Sequence, residues 1–154
     1  MIDMYDDKTD GGWMVFDAKD RVLGRMGSRV AKELLSGRQV AVVNAELAYM
    51  SGNKGTLVRK YRTRLNLQEK ENPDHSPYWP RRPDMLVRRI IRGMLPYKKP
   101  SGKAAYRRLR VYSGIPKELA GSKFAEFETK RPKEMYVKHL YIRELSALLG
   151  YNRD

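Results

Sequence analysis

Apolar residues change their period several times along the chain, and each change marks an element. Met14-Val15-Phe16 is a short apolar run ending at Asp17, the pattern of a first strand. From Val22 to Leu35, the residues Leu23, Met26, Val30, Leu34 and Leu35 recur at helical spacing, and Gly37 supplies a stop signal. The run QVAVVNA, residues 39–45, is continuously apolar and rich in β-branched residues. Continuous rather than alternating apolarity suits a strand covered on both faces, as in a parallel sheet. Strand, helix and strand within about thirty residues make a βαβ unit.

The segment AYMSGNKG, residues 48–55, closes as a glycine loop. A helix is predicted from Thr56 to Leu65, with Leu57, Tyr61 and Leu65 on one face and Arg59, Lys60, Arg62 and Arg64 on the others. Residues 71–83 hold Pro73, Pro77, Pro80 and Pro83 around Tyr78 and Trp79, which excludes regular helix there. Pro83 suits the first turn of the next helix, where its missing N–H costs nothing. That helix is predicted to run to about Met94, with Pro96 marking its end. Ser101–Arg108 reads as a second short helix capped by Ser101. Arg110–Ser113 reads as a strand ending at Gly114. Residues 117–135 show no period, and Leu140–Leu149 reads as a helix closing on Gly150. The 154 residues suit a single domain, and the element order gives an α/β class.

Charge changes the picture. Lys and Arg number 32 against 18 Asp and Glu, a net +14. The excess is local: residues 81–110 hold eleven bases and only Asp84. The same block contains Leu86, Val87, Ile90, Ile91, Met94 and Leu95, which a solvated tail that buries nothing would not carry. On a helix, Arg81, Arg88 and Arg92 fall near one line and Arg82 and Arg89 near a neighbouring one. Ile90, Ile91, Met94 and Leu95 are then expected in the core. Lys98, Lys99, Lys103, Arg107 and Arg108 extend the basic stripe. A surface of this kind attracts polyanions, with nucleic acid and anionic membrane as the broad candidates. Arginine suits phosphate because its planar fork donates two parallel hydrogen bonds. Tyr78, Trp79, Tyr97 and Tyr106 offer flat rings, for unpaired bases or for packing.

Little else carries chemistry. Cysteine is absent, so neither a disulfide framework nor a thiolate metal site is available. His75 and His139 have no acid or histidine at ligand spacing, and no metal or cofactor is expected. Ser28, Ser36 and Ser51 lack a neighbour that marks a nucleophile, and Glu126 and Glu128 read as a solvated edge. No acid, base and nucleophile assemble, so no catalytic residue is assigned. Gly24-Arg-Met-Gly27 and Gly52-Asn-Lys-Gly55 spell GxxG, a spacing that can bring backbone amides to phosphate but is common. Neither is a Walker loop or a dinucleotide fingerprint. The acidic start of the chain is no secretory signal and no stretch reaches membrane-span length, so a soluble, intracellular protein is expected. Helix-turn-helix, zinc-finger and heptad patterns are missing; positive charge spread over several elements fits structured RNA better than one duplex groove. Two rivals stand beside this reading: an RNA-processing enzyme, and a general binder of nucleic acid or anionic lipid.

Four segments bear a resemblance to a known family. They are VFDAKDRVLGRMGSRVAKELLSG (15–37), VAVVNAELAYMSGNKG (40–55), RGMLPYKK (92–99) and RLRVYSGIP (108–116). In this order they resemble the ribosomal protein L13 (uL13) family of the large subunit, in its archaeal and eukaryotic form, over about residues 14–116. The resemblance implies a three-layer α/β/α fold around a four-stranded, mainly parallel sheet, divided as an acidic segment 1–12, an α/β domain 13–116 and a C-terminal extension 117–154 with a terminal helix. It implies binding to large-subunit ribosomal RNA beside neighbouring large-subunit proteins, a role in assembly on cytoplasmic ribosomes, and no catalysis or small-molecule substrate. Carried over by position, it places Arg92, Lys98 and Lys99 at RNA, together with Lys54 and the helix bearing Arg59, Lys60, Arg62 and Arg64. Arg25 of the LGR segment is a further candidate.

Overall fold

The computed structural model of the chain describes residues 12–127 and 137–152. The acidic segment 1–12, save Gly12, lies outside the described residues, as does part of 117–154. Among the described residues the regular elements run β1 (Trp13–Asp17), α1 (Leu23–Leu35), β2 (Gln39–Val43), β3 (Tyr49–Ser51), α2 (Lys54–Asn66), α3 (Pro83–Arg92), α4 (Pro100–Arg107), β4 (Leu109–Val111), β5 (His139–Tyr141) and α5 (Ile142–Leu148).

The continuous apolar run of β2 sits where its composition requires, in the middle of a parallel sheet ordered β1-β2-β4. Phe16 pairs with Val42, and Val42 in turn with Val111. Because side chains alternate across a strand, Val40 and Val42 join Phe16 and Leu109 in the main core, while Ala41 and Val43 join Val15 on the other face. The main core is completed by Leu23, Met26, Val30 and Leu34 of α1, Leu86, Val87 and Ile91 of α3, and Ala105 of α4. The opposite face packs against Trp13, Tyr112 and Leu119. Among the described residues its apolar partners thus come from no α-helix, Leu119 being part of the short 3-10 helix Lys117–Leu119.

The α/β class and the mainly parallel sheet are as expected, with one difference in strand count. Among the described residues the sheet has three strands rather than four, and β3 and β5 form a separate antiparallel pair with Tyr49 opposite Tyr141. On the free edge of β1 a single parallel bridge joins Val15 to Phe124, and the Ala125 N–H donates to the Val15 carbonyl at 2.7 Å. Residues 117–127 hold only one short apolar pair there and extend no ladder. The segment expected as a glycine loop contains β3. The terminal helix begins at Ile142, because Leu140 is drawn into β5. Leu140, Ile142, Leu145 and Leu149 nevertheless join the same core as α1 and α3.

Two features fix the basic block. In α3 the buried face is Pro83, Leu86, Val87 and Ile91, with Leu95 buried just beyond. Of the residues expected in the core, Ile90 is only half-buried and Met94 is 37% exposed, its thioether lying over Gly27 of α1. Four-residue steps from Val87 lead to Ile91 and then Leu95, so Met94 falls at the rim of that face. Helix α4 opens on Lys99 with Pro100 at its first position, and no side chain caps it; Ser101 lies inside the helix instead. Gly102 is buried where a Cβ would stand 2.1 Å from the Pro96 carbonyl oxygen. Only glycine lets α4 fold back this closely on the Pro96–Tyr97 turn.

Gly102→Ala is expected to destabilise the protein by at least about 1–3 kcal/mol, the cost of overpacking, because backbone must move. Gly24→Ala, in open space on α1, is expected to gain up to about 1 kcal/mol through the unfolded chain. Paired urea titrations check both signs.

Candidate nucleic-acid interface

Packing α3 by Leu86, Val87 and Ile91 turns its arginines toward the Pro-rich segment on one side and α4 on the other. Arg88, Arg89 and Arg92 are each half-buried, and each lies over an aromatic ring. The Arg88 Cζ is 4.6 Å from the centroid of Tyr106, Arg89 is 4.7 Å from Trp79, and Arg92 is 4.1 Å from Tyr97. Arg64 of α2 reaches the same Trp79 at 4.4 Å and Tyr61 at 5.1 Å. The rings support one another edge to face: Tyr97 with Tyr106 at 5.5 Å and Tyr61 with Trp79 at 6.0 Å. Trp79 precedes Pro80, a position biased toward extended backbone, and its indole meets Tyr61 and Arg64 of α2 and Arg89 of α3.

Stacking settles what these cations can do. A guanidinium lying on a ring gains about 0.5–1 kcal/mol at an exposed site and more when desolvated. Contact with a ring face does not occupy the edge N–H groups, and those that stay exposed form the fork that fits phosphate. The Nε atoms of Arg88 and Arg89 are buried with no hydrogen-bond partner. Arg89 is held below its ordinary pKa, first by burial and then by repulsion from Arg92, with Arg64 adding to it. Burial raises the Tyr61 phenol, against an opposing pull from Arg64. Arg89 thus has two like charges, Arg92 and Arg64, for neighbours.

The remaining predicted residues surround this cluster or lie elsewhere. Arg59, Lys60 and Arg62 are exposed on α2, and the Arg62 guanidinium donates to the Leu148 carbonyl at 3.3 Å. Lys54 is exposed at the start of α2, whose first turn is capped by the Asn53 side chain accepting from the Gly55 N–H at 2.9 Å. Lys98 and Lys99 are exposed in the turn before α4, Lys103 and Arg107 on α4 itself, and Arg25 on α1. Arg81 is exposed; Arg82 pairs with Asp84 at 2.9 Å, the acid that stands alone in the basic block. Arg108 is half-buried and donates to the Leu34 carbonyl at 2.8 Å, so part of its fork is committed to the end of α1.

The first GxxG lies within α1, inside the helix expected from Val22 to Leu35, and Gly27 is buried against Met94 and Ile91. Trp79, Tyr97 and Tyr106, offered as platforms for bases or as packing, carry guanidinium groups, whereas Tyr78 stays 82% exposed. The aromatic partners of Arg64, Arg88, Arg89 and Arg92 were not assigned from sequence; the interleaving of tyrosines with the basic block was the available signal. His75 stands in the exposed turn Pro73–His75, and His139 meets the edges of Tyr49 and Tyr141. Among the described residues no group of three metal-ligating side chains occurs, and no helix is long and apolar enough to cross a membrane.

Comparison with known proteins gives one consistent result. The family model described as Ribosomal protein L13 matches residues 11–118. The "Large ribosomal subunit protein uL13" of Methanosphaera stadtmanae is 44% identical over 137 residues, spanning 88% of this chain and 96% of that protein. That of Methanosarcina barkeri is 47% identical over 141 residues, with the same shares covered. That of Archaeoglobus fulgidus is 40% identical over 139 residues, 89% of this chain and 87% of its own length.

Changing Arg88, Arg89 and Arg92 together to Lys keeps the net charge but removes the planar stacks. Lysine keeps part of each cation–π attraction, so the expected loss of stability stays below about 1.5–3 kcal/mol, the full value at 0.5–1 per contact, read by urea denaturation. Lys98→Ser, at an exposed site, is expected to stay within about 0.5 kcal/mol of the parent.

Proposed function

The chain belongs to the ribosomal protein L13 family, and from that premise we propose that it binds large-subunit ribosomal RNA through the surface of α2, α3 and α4, fixing the local path of the RNA as the subunit assembles. The observation that carries this reading is the set of four guanidiniums, Arg64, Arg88, Arg89 and Arg92, each laid on an aromatic ring. They sit in and beside a block with eleven bases and one acid. Phosphate oxygens meet the free edges of these arginines. Arg59, Lys60, Arg62, Arg81, Arg82, Lys98, Lys99, Lys103, Arg107 and Arg108 carry the contact outward, and Lys54 and Arg25 extend it to the start of α2 and to α1.

The mechanism is neutralisation. Each phosphate matched by a cation releases condensed counterions, and the entropy of that release drives binding. Ring-held arginines lose little side-chain freedom on binding, so more of the interaction appears as affinity. The role is structural and needs no cofactor. It is exercised on the ribosome in the cytoplasm, among neighbouring large-subunit proteins.

If about six phosphates are neutralised, log affinity for a large-subunit RNA fragment is expected to fall with log salt with a slope of roughly −4 to −5. Changing Arg88, Arg89 and Arg92 to Ser is expected to reduce that slope by about three contacts' worth. A slope near zero contradicts the reading. So does equal displacement of the fragment by heparin and by unrelated RNA at matched charge, the behaviour of a general polyanion binder.

A further inference from the structure

A cleft of about 590 Å3 opens where the end of α2, the proline-rich segment and the first turn of α3 meet. Its apolar lining comes from Leu65, Pro77, Pro80 and Met85, and its polar edge from Arg81 and Arg82, with Tyr78 and Trp79 between. Three of these residues have settled partners. Arg82 is paired with Asp84, Trp79 carries Arg64 and Arg89, and Leu65 packs against the main core. Tyr78 is different. It is a large aromatic side chain, 82% exposed, and no ring or hydrogen-bond partner engages it among the described residues. Arg81 is likewise exposed and unpaired there.

We propose that this cleft receives one unpaired, unstacked nucleotide of the bound RNA, its base lying against Tyr78 over the apolar lining and its phosphate on Arg81. The proposal rests on the RNA-binding reading above and adds a preference to it. Charge complementarity selects the occupant: the lining holds the cations Arg81 and Arg82 and no acid, and Asp84 beside it is paired with Arg82. An apolar floor, a free flat ring and a free guanidinium are together what a nucleotide offers partners for, and every base presents a stacking face. Paired bases in a duplex keep those faces hidden, so the cleft distinguishes single-stranded from paired RNA where the arginine surface alone does not.

The test uses the whole chain and two labelled RNA hairpins with equal numbers of phosphates, one blunt and one bearing a five-adenosine 3′ overhang. The parent protein is expected to bind the overhang form at least about fivefold more tightly, the lower range for one base stacked on an aromatic side chain. Tyr78→Ala, which removes an exposed ring and leaves the core intact, is expected to erase that preference while affinity for the blunt hairpin is unchanged. No preference in the parent, or a preference that survives in Tyr78→Ala, overturns the nucleotide cleft alone. Failure of the parent to bind either hairpin, and equally to bind a large-subunit ribosomal RNA fragment at low salt, overturns the RNA reading with it. A Tyr78→Ala protein with unaltered RNA selectivity that no longer enters large subunits assigns the cleft to a protein neighbour and also overturns the proposal.

Discussion

Helix α3 has to bury one face and hold several like charges on the other, and the stacking of its arginines on aromatic rings reconciles the two. Leu86, Val87 and Ile91 anchor the helix in the core. That leaves Arg88, Arg89 and Arg92 crowded at its margin, where water is partly excluded and Arg89 is held below its ordinary pKa. Aromatic faces are the partners that stabilise a cation without neutralising it. A carboxylate would have removed the charge; Trp79, Tyr97 and Tyr106 keep it available while fixing the plane of each guanidinium.

The rest of the fold serves that placement. The parallel β1-β2-β4 sheet gives α1 and α3 a common floor. The close approach of Gly102 to Pro96 folds α4 back so that Tyr97 and Tyr106 meet edge to face beside the arginines of α3. The proline-rich segment carries Trp79 into the gap between α2 and α3. Arg108 caps the end of α1, so a residue of the basic block also ties that block to the sheet layer. The side chains proposed to meet phosphate at these positions therefore also pack.

Much of this was legible in the sequence, and the gaps have physical causes. Long periodic elements such as α1 and α3, and the continuous run of β2, were readable because burial pattern alone specifies them. β3 and β5 were not, because three-residue strands gain their identity from pairing across about ninety residues, here Tyr49 with Tyr141, and carry no period of their own. At the site, the residue types and the basic stripe were visible, since charge density is a property of composition. Which ring each arginine lies on was not, because Trp79 and Arg64 are brought together by tertiary packing. The role of Gly27 was not legible either, because its close packing against Met94 and Ile91 depends on how α1 and α3 meet.

The most direct test of ring-held cations as the RNA-contacting surface is NMR observation of the arginine Nε–H groups. In the free protein, those of Arg64, Arg88, Arg89 and Arg92 are expected to be ring-current shifted and slow to exchange. On addition of a large-subunit ribosomal RNA fragment at low salt, the same four signals are expected to move together. Four signals that exchange as fast as those of an unstructured arginine peptide, or that stay in place while RNA binds, would contradict the account.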